Sequence, residues 1–300
     1  MGPTASGKTD LALKISEEFP CEIISVDSVM VYRGLDIGSA KPSKEVLQKY
    51  PHHLIDILDP WDAYSAANFR ADALRLIREI HAREKIALLT GGTMLYFSAL
   101  QRGLSKMPGA NLMVRKKLND LADEKGWEFM HARLNEIDPQ AAARIHPNDP
   151  QRIQRALEVY ELSGIPITTW QAKSSKLNLP FRALKMALIP EDRGLLHQRI
   201  EQRFNQMMEE GFLLEMKALY QRGELNSELP SMRSVGYRQA WMYLDGDYDL
   251  EAMREKAIVA TRRLAKRQLT WLRSEIGLTT LSAEQYDIHD ICHKIRSHLA

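Results

Sequence analysis

The first nine residues contain a motif that binds phosphate groups in many proteins. Gly2-Pro3-Thr4-Ala5-Ser6-Gly7-Lys8-Thr9 fits the pattern G-x-x-x-x-G-K-[ST] in full. Its glycines allow a tight turn whose successive backbone N–H groups point at an anion. Lys8 adds a positive charge for the terminal phosphates, and Thr9 offers a hydroxyl to Mg²⁺. The alternative is a glycine-rich helix cap that binds nothing. A predicted helix at 10–19 follows directly, as in phosphate-binding loops, and this favours binding.

Polar residues also follow two apolar runs that predict buried strands. Asp27 comes directly after 21–26, and Gly91-Gly92-Thr93 comes after 86–90. Ligands gather at the carboxyl ends of parallel strands, so these residues and the phosphate loop should face one crevice. Asp27 is either a helix cap or turn residue, or else a general base or metal-associated carboxylate. The glycines form either a plain turn or a close approach to a ligand. The strand 86–90 lacks the terminal acid that ATPases use for Mg²⁺, which favours a small-substrate transferase.

Basic residues concentrate in three predicted helical stretches. Residues 144–160 carry several arginines, and Arg199 and Arg203 stand at i and i+4, where they could clamp a phosphate. For both stretches a solvated helix face remains the alternative. The stretch 262–273 has five basic residues and no acid. Solubilising helix faces usually mix both signs, so this one favours contact with a nucleic-acid backbone.

Composition narrows the class of protein. The 300 residues allow one large or two medium domains, and 44% hydrophobic residues suffice for a real core. A net charge of +2 is too small to indicate a nucleic-acid partner by itself. Cys21 and Cys292 lack metal-binding spacing, which predicts a reducing cytosol. No apolar run approaches the ~18 residues of a membrane span, and no signal-peptide pattern is present.

Alternating strands and helices predict an α/β fold. We expect a P-loop NTPase-like parallel sheet flanked by helices, with an inserted all-helical domain. Predicted helices cover 66–85, with Phe69, Ala73, Ile77 and Ile80 on one stripe, and 94–103. A break at 105–113 precedes a helical region, a polar linker at 173–180, a strand-like run within 182–190 and further helices to about 275. The predicted domains are 1–108 (first half of the core), 109–178 (helical insertion) and 179–300 (return to the core and C-terminal helices).

Seven stretches together resemble one family, the bacterial tRNA dimethylallyltransferases. They are GPTASGKT (2–9), ISVDSVMVYRGLDIGSAKP (24–42), GGTMLYFSAL (91–100), HPNDPQRIQRALEV (146–159), QRIEQRF (198–204), RSVGYRQAW (233–241) and TRRLAKRQLTWLR (261–273). They run along almost the whole chain. The phosphate loop alone is shared with many kinases, whereas D-S-x-x-x-Y-x-G-x-D-I-G-x-A-K-P followed by N-D-P-Q-R is far more specific.

The resemblance implies a reaction. A dimethylallyl group would move from dimethylallyl diphosphate to N6 of adenosine 37, in tRNAs reading codons that begin with U, with Mg²⁺ required. By similarity, the diphosphate is held by Arg203 and by the loop residues Gly2, Pro3, Thr4, Ala5, Ser6, Gly7, Lys8 and Thr9, with Thr9 also holding the metal. Asp27, Thr93, Lys8 and Arg203 are the implied catalytic residues: Asp27 orients N6 and accepts its proton, and Thr93 contacts the target nucleotide. Because the stacked base is out of reach, the adenine must flip into the pocket.

The resemblance also implies an anticodon stem-loop of tRNA as partner. The expected RNA contacts are Asp27, Ser28, Val29, Met30, Thr93, Arg115, Gln151, Arg152, Ile153, Gln154, Arg155, Arg233, Ser234, Val235, Gly236, Tyr237, Arg238, Arg262, Arg263, Lys266 and Arg267. We further expect a cytoplasmic monomer with no membrane association.

Other activities use similar residues. A small-molecule kinase has the same loop but leaves the basic stretch unexplained, and a non-catalytic RNA-binding module leaves Lys8, Thr9 and Asp27 unexplained. An adenylate-type isopentenyltransferase would not need the large helical insertion. Relatives carry a strand before the phosphate loop, whereas this sequence starts at Met1. We therefore expect the true start to lie upstream, and the short form to be weakly stable with impaired diphosphate binding.

Overall fold

The structure is a computed structural model that describes residues 1–172 and 179–299. The chain forms two compact units. One comprises Met1–Leu100 with Pro180–Ala300, and the other is Gln101–Leu179. The second unit includes the described part of the predicted insertion and begins before it. Most of the predicted linker, residues 173–178, lies outside the described residues.

The first unit contains parallel strands, as the alternation of elements predicts. In chain order the strands are β1 (Cys21–Val26), β2 (His52–His53), β3 (Ile86–Gly91), β4 (Met186–Ile189) and β5 (Thr279–Ser282). One sheet has the order β2-β1-β3, and β4 pairs with β5, all parallel. The α/β fold class is confirmed, as are strands β1, β3 and β4; β5 lies beyond the helical region that the sequence pattern predicts.

Helices surround these strands and build the second unit. They are α1 (Lys8–Glu18), α2 (Lys44–Lys49), α3 (Ala66–His81), α4 (Met94–Arg102), α5 (Leu112–Ile137), α6 (Pro139–Arg144), α7 (Pro150–Ser163), α8 (Ile167–Ala172), α9 (Arg193–Glu209), α10 (Phe212–Tyr220), α11 (Tyr237–Leu244), α12 (Leu250–Arg273) and α13 (Ile288–Leu299). None of the helices in the described ranges is long and apolar enough to cross a bilayer.

Helix α3 shows how local sequence sets an element. Ser65 caps it through a capping box with Asn68, and the predicted apolar stripe is buried against the sheet. The helix ends at His81, before the predicted residue 85. Glu84 adopts a left-handed conformation with φ 57°, which an α-helix cannot include. The chain turns there and enters β3.

The backbone of Met1 attaches the phosphate loop to β4. Its terminal nitrogen donates a hydrogen bond to Met186 O at 2.8 Å, and Leu188 N donates to Met1 O at 2.9 Å. Leu11 and Ile15 of α1 belong to the same buried apolar cluster as Leu188. The loop is therefore held between β4 and the start of α1.

The second unit is helical around its own core. Met130, Leu134, Ile153 and Leu157 are fully buried there, on α5 and α7. Helix α5 is interrupted at Gly126, which has φ 83° and ψ 158°. Helix α7 begins with Asp149 as its N-cap and ends at the left-handed Gly164. These caps set the two ends of α7, and the region is helical as the sequence pattern predicts.

Candidate active site

A cavity in the first unit gathers the residues that the sequence places at strand ends. Thr4, Ala5, Lys8 and Thr9 of the phosphate loop line it, together with Asp27 after β1 and Gly91 and Gly92 at the end of β3. Parallel strands bring their carboxyl ends to one edge, so the predicted crevice follows from the topology.

The phosphate loop has the backbone of an anion site. Gly7 has φ 82°, a conformation that residues with a Cβ rarely adopt, and α1 begins at the next residue. The helix N-terminus thus contributes free N–H groups and a partial positive charge. Lys8 Nζ donates to Pro3 O at 3.0 Å, folding its ammonium over the loop.

Two cations meet in this cavity. Burial, together with the nearby Arg203, lowers the pKa of Lys8 to about 8, and Asp27 opposes this shift. Burial likewise lowers the pKa of Arg203 on α9, again opposed by Asp27. Two partly desolvated cations facing one carboxylate leave an unbalanced positive charge, which an anionic ligand would neutralise. Arg199 does not join Arg203 in a clamp, because it faces Glu284 at 3.6 Å and does not line the cavity.

Asp27 holds the turn after β1 and also lines the cavity. Its Oδ1 accepts hydrogen bonds from Val29 N at 2.8 Å and Met30 N at 3.3 Å, as a turn residue does. These bonds fix the orientation of a carboxylate that lines the cavity. Its expected role as a general base stays a prediction.

Thr93 supports the Asp27 turn from the neighbouring strand. Its backbone N donates to Val26 O at 3.1 Å, and its Oγ1 accepts from Ser28 N at 3.1 Å. Thr93 is half-buried and is not among the residues lining the cavity. In this structure it ties β3 to the turn, and its contact with the target nucleotide remains a prediction.

The rest of the cavity wall is mostly apolar. Its side chains come from the turn after β1, the stretch after β2, helices α9, α10 and α12, and the segment that precedes α11. They are Val29, Met30, Ile55, Ile200, Phe204, Met207, Phe212, Val235 and Leu264. A cavity with a cationic loop and an apolar wall suits an anion that carries a hydrocarbon group.

The expected RNA-contacting residues of the first unit fall into accessible and inaccessible sets. Arg233 and Arg238 are exposed, and Val235 and Gly236 line the cavity. Tyr237 is fully buried, with its hydroxyl donating to Glu215 at 2.7 Å. Its expected contact with RNA stays a prediction. On α12, Arg262 pairs with Glu201 at 2.9 Å. The other three basic residues expected to contact RNA are exposed: Arg263, Lys266 and Arg267.

In the second unit, two of the expected RNA contacts hold a buried carboxylate. Arg115 donates to both oxygens of Glu158, at 2.9 and 3.2 Å, and Arg155 donates at 2.6 Å. Burial would raise the pKa of Glu158, but these hydrogen bonds and one from the Asn111 backbone hold it below its usual range. Both arginines therefore have a structural role before any RNA binds.

The remaining expected contacts of the second unit lie on α7. Gln151 and Arg152 are exposed. Gln154 donates to Asn119 at 2.5 Å. Ile153 is fully buried in the core of this unit, and its expected contact with RNA stays a prediction. Ile153 shares the buried face of α7 with Ala156 and Leu157, three and four residues further along the helix.

Sequence reasoning missed three polar residues around the cavity. Gln268 lines it and hydrogen-bonds the phosphate loop. Glu215 accepts bonds from three successive backbone N–H groups at residues 36–38. His52 lines the cavity, with Nδ1 donating to Tyr50 O at 2.7 Å, and burial lowers its pKa. Nothing in the local pattern marks them. Gln268 and Glu215 bond residues far away in the chain, and His52 lies beside β1 only because β2 pairs with that strand.

The donors for a metal ion are few. Within the described ranges, no group of three or more His, Cys, Asp or Glu side chains is arranged to hold one. Thr9, exposed at the start of α1, offers a hydroxyl in the cavity. Mg²⁺ commonly binds through one or two protein oxygens plus phosphate oxygens and waters, so this donor set fits a metal that arrives with a diphosphate.

The whole chain resembles proteins of known class. Residues 30–275 match the family described as IPP transferase. The tRNA dimethylallyltransferase of Thioalkalivibrio sulfidiphilus is 56% identical over 299 residues, covering 100% of this chain and 93% of that protein. That of Coxiella burnetii is 56% identical over 288 residues, covering 96% of both.

Solved structures agree with the sequence relatives. The full-length tRNA isopentenylpyrophosphate transferase of Bacillus halodurans superposes with a TM-score of 0.72 at 37% identity, covering 99% of this chain and 94% of that one. A eukaryotic dimethylallyltransferase acting on tRNA gives a TM-score of 0.77 at 26% identity, covering 98% and 76%. The resemblance drawn from the motifs is confirmed: the chain belongs to the IPP transferase family, that of the tRNA dimethylallyltransferases.

Proposed function

We propose that the chain transfers the dimethylallyl group of dimethylallyl diphosphate to N6 of adenosine 37, in tRNAs reading codons that begin with U. One observation carries this proposal. A single cavity contains the phosphate loop with Lys8 and Arg203, the carboxylate of Asp27, and an apolar wall. These are the groups needed by a prenyl diphosphate and by an amine that must lose a proton.

The proposed reaction breaks one bond and forms one. N6 of adenine attacks the first carbon of the dimethylallyl group, and the bond from that carbon to the diphosphate oxygen breaks. Negative charge grows on the departing diphosphate, where Lys8, Arg203 and the loop N–H groups stabilise it. Asp27 accepts the proton that N6 loses, and its turn hydrogen bonds hold it in place.

The metal would act on the leaving group. Thr9 and the diphosphate oxygens would hold Mg²⁺, which supplies positive charge that neutralises the diphosphate. The apolar wall excludes water from the reacting carbon and so protects the prenyl group from hydrolysis. Phe204 and Phe212, stacked edge to face with centroids 6.1 Å apart, give that wall rigid surfaces.

RNA binding would use exposed basic residues of both units. Arg263, Lys266 and Arg267 on α12 are exposed and suited to phosphates, and Gln151 and Arg152 are exposed on α7. Residues 233–236 reach from the surface to the cavity wall and suit the nucleotides around a flipped adenine. A tRNA substrate favours action in the cytoplasm, and we expect a monomer.

The test follows mass gain on RNA. The chain is incubated with Mg²⁺, dimethylallyl diphosphate and an unmodified anticodon stem-loop carrying adenosine or guanosine at position 37. We expect one dimethylallyl unit on the adenosine loop alone. Asp27→Asn should lower the rate by about 10²–10⁴-fold, as loss of a general base does. The matched control is Asp247→Asn, an exposed carboxylate after α11, which should leave the rate unchanged.

Other results would point elsewhere. Transfer to free adenosine phosphates but not to the stem-loop would favour the adenylate-type reaction. ATP-dependent phosphorylation of a small hydroxyl compound, with no mass gain on either RNA, would favour a kinase. RNA binding without any transfer would favour a non-catalytic module.

A further inference from the structure

Gln268 lies nearly buried on a helix whose nearby residues face solvent. It occupies the last third of α12 and is 7% exposed, whereas Lys266 and Arg267 are exposed. A buried amide must find partners for both its oxygen and its nitrogen. Those partners indicate what the side chain does.

The two halves of the amide bond two different parts of the cavity wall. Thr4 N, in the phosphate loop, donates to Gln268 Oε1 at 2.9 Å. Gln268 Nε2 donates to Gly92 O, after β3, at 2.8 Å. A backbone N–H can only donate and a carbonyl can only accept, so these partners determine which end of the amide is oxygen. The bridge joins the loop to the β3–α4 junction.

The junction has room for this amide only because residue 92 is glycine. A Cβ at Gly92 would lie 2.5 Å from Gln268 Nε2 and 3.3 Å from Gly2 O. Atoms do not approach so closely without one of them moving, so an alanine there would push the amide out of place. The β3–α4 turn, the phosphate loop and Gln268 are therefore closely packed against one another.

The loop needs such support. Ala5, directly after Thr4, has φ 61°, which is unfavourable for a residue with a Cβ. A conformation of this kind persists only where the surroundings hold it. The hydrogen bond to Thr4 N is a contact that holds the loop at that point.

We propose that Gln268 is a positioning residue that fixes the phosphate loop in the conformation that binds the donor diphosphate. Both of its polar groups are already bonded to backbone, so it acts through the loop rather than on the reacting atoms. The inference rests on the proposed function only for the identity of the donor. It assigns to α12 a role on its buried face, distinct from the RNA contacts proposed for its exposed basic residues.

The experiment measures diphosphate binding by the full chain apart from transfer. Isothermal titration with inorganic diphosphate and Mg²⁺ gives the Kd, and the stem-loop assay gives the KM for dimethylallyl diphosphate and kcat. Gln268→Met keeps the length of the side chain but removes both hydrogen bonds. We expect its Kd and KM to rise about tenfold, the size of effect that one lost hydrogen-bonded bridge produces. The control is Gln202→Met, an exposed glutamine on α9, which should match the wild type.

A second pair of variants keeps the test decisive if Gln268→Met folds poorly. Gly92→Ala displaces the amide without removing it and should weaken diphosphate binding to a similar extent. In a Gln268→Ala background the same change should add little, because the space left by the amide accepts the methyl group. Equal losses from Gly92→Ala in both backgrounds would overturn the proposal.

Two further results distinguish a failure of this inference from a failure of the proposed function. A melting temperature that falls while Kd and KM stay at wild-type values would show that Gln268 is merely structural. If the wild-type chain binds diphosphate, Gln268→Met weakens that binding, and neither protein transfers a dimethylallyl group to RNA, the proposed function is refuted and this inference stands.

Discussion

Glu22 allows the sharpest prediction about how the strands of the active site are held. It lies in β1, five residues before Asp27, with its side chain 6% exposed. Arg83 donates to both of its oxygens, at 3.2 and 2.7 Å, and Lys85 and His53 contact it at 3.1 and 2.7 Å. The carboxylate thus connects β1 to β2 and to the turn that enters β3.

The size of the effect follows from the pKa of this carboxyl. The hydrogen bonds from Arg83, His53 and Lys85 outweigh the opposing effect of burial and lower it from 4.5 to about 2. At 1.36 kcal/mol per pH unit, the difference corresponds to about 3 kcal/mol of stability. Because the folded-state pKa lies below the unfolded one, this contribution is complete above pH 4.5 and is lost as the pH falls toward 2.

The perturbation is Glu22→Gln, assayed by thermal unfolding at several pH values. At pH 7 we expect the melting temperature to fall by roughly 6 °C, taking about 2 °C per kcal/mol for a chain of this size. The difference from wild type should shrink below pH 4.5. The control, Glu79→Gln, removes an exposed i,i+4 partner of Arg75 and should change stability by less than about 0.5 kcal/mol. A Glu22→Gln effect as small as the control, or one independent of pH, would refute the reasoning.

Two further predictions concern the cavity. Burial and a neighbouring arginine lower the pKa of Lys8 to about 8, and a bound diphosphate favours its protonated form. The Kd for dimethylallyl diphosphate should therefore be constant below pH 8 and rise up to about tenfold per pH unit above it. A Kd that stays constant up to about pH 9.5 would contradict this prediction. Glu215→Gln places an amide N–H₂ against the backbone donors at 36–38 and the hydroxyl of Tyr237. Each donor left without an acceptor should lower the free energy of unfolding by about 1–3 kcal/mol. Amide hydrogen exchange at 36–38 should become faster, and the KM for RNA should rise. Glu209→Gln, an exposed change on α9, is the comparison, and equal exchange in the two variants would show that Glu215 does not order this segment.

Strong periodic patterns predicted most of the elements correctly. The apolar stripe of α3 has the helical period, which buries its apolar side chains together. The run of β1 is short, β-branched and buried at every position, which favours a strand covered on both faces. Strands β2 and β5 and helices α2 and α13 were missed. The residues of β5 form a short and only partly buried strand that pairs with β4, which is far away in the chain.

The candidate site was predictable where a motif is contiguous. Lys8, Asp27 and Arg203 were identified from the loop pattern, a strand end and a family motif, and the cavity contains all three. Basic residues were harder to assign, because sequence does not show which arginines are already paired. Arg115 and Arg155 are tied to Glu158, Arg199 faces Glu284, and each partner lies on another turn or element.

The sequence by itself determined the α/β class, the phosphate loop, the acid at the end of β1 and the family. These depend on residues close together in the chain, where spacing alone constrains geometry. Only the tertiary structure decided that Gln268 bridges Thr4 and Gly92, that Glu215 holds residues 36–38, and that Ile153 and Tyr237 are buried. Such contacts join residues tens to hundreds of positions apart. Their hydrogen bonds and burial arise only when the packed elements bring those positions together.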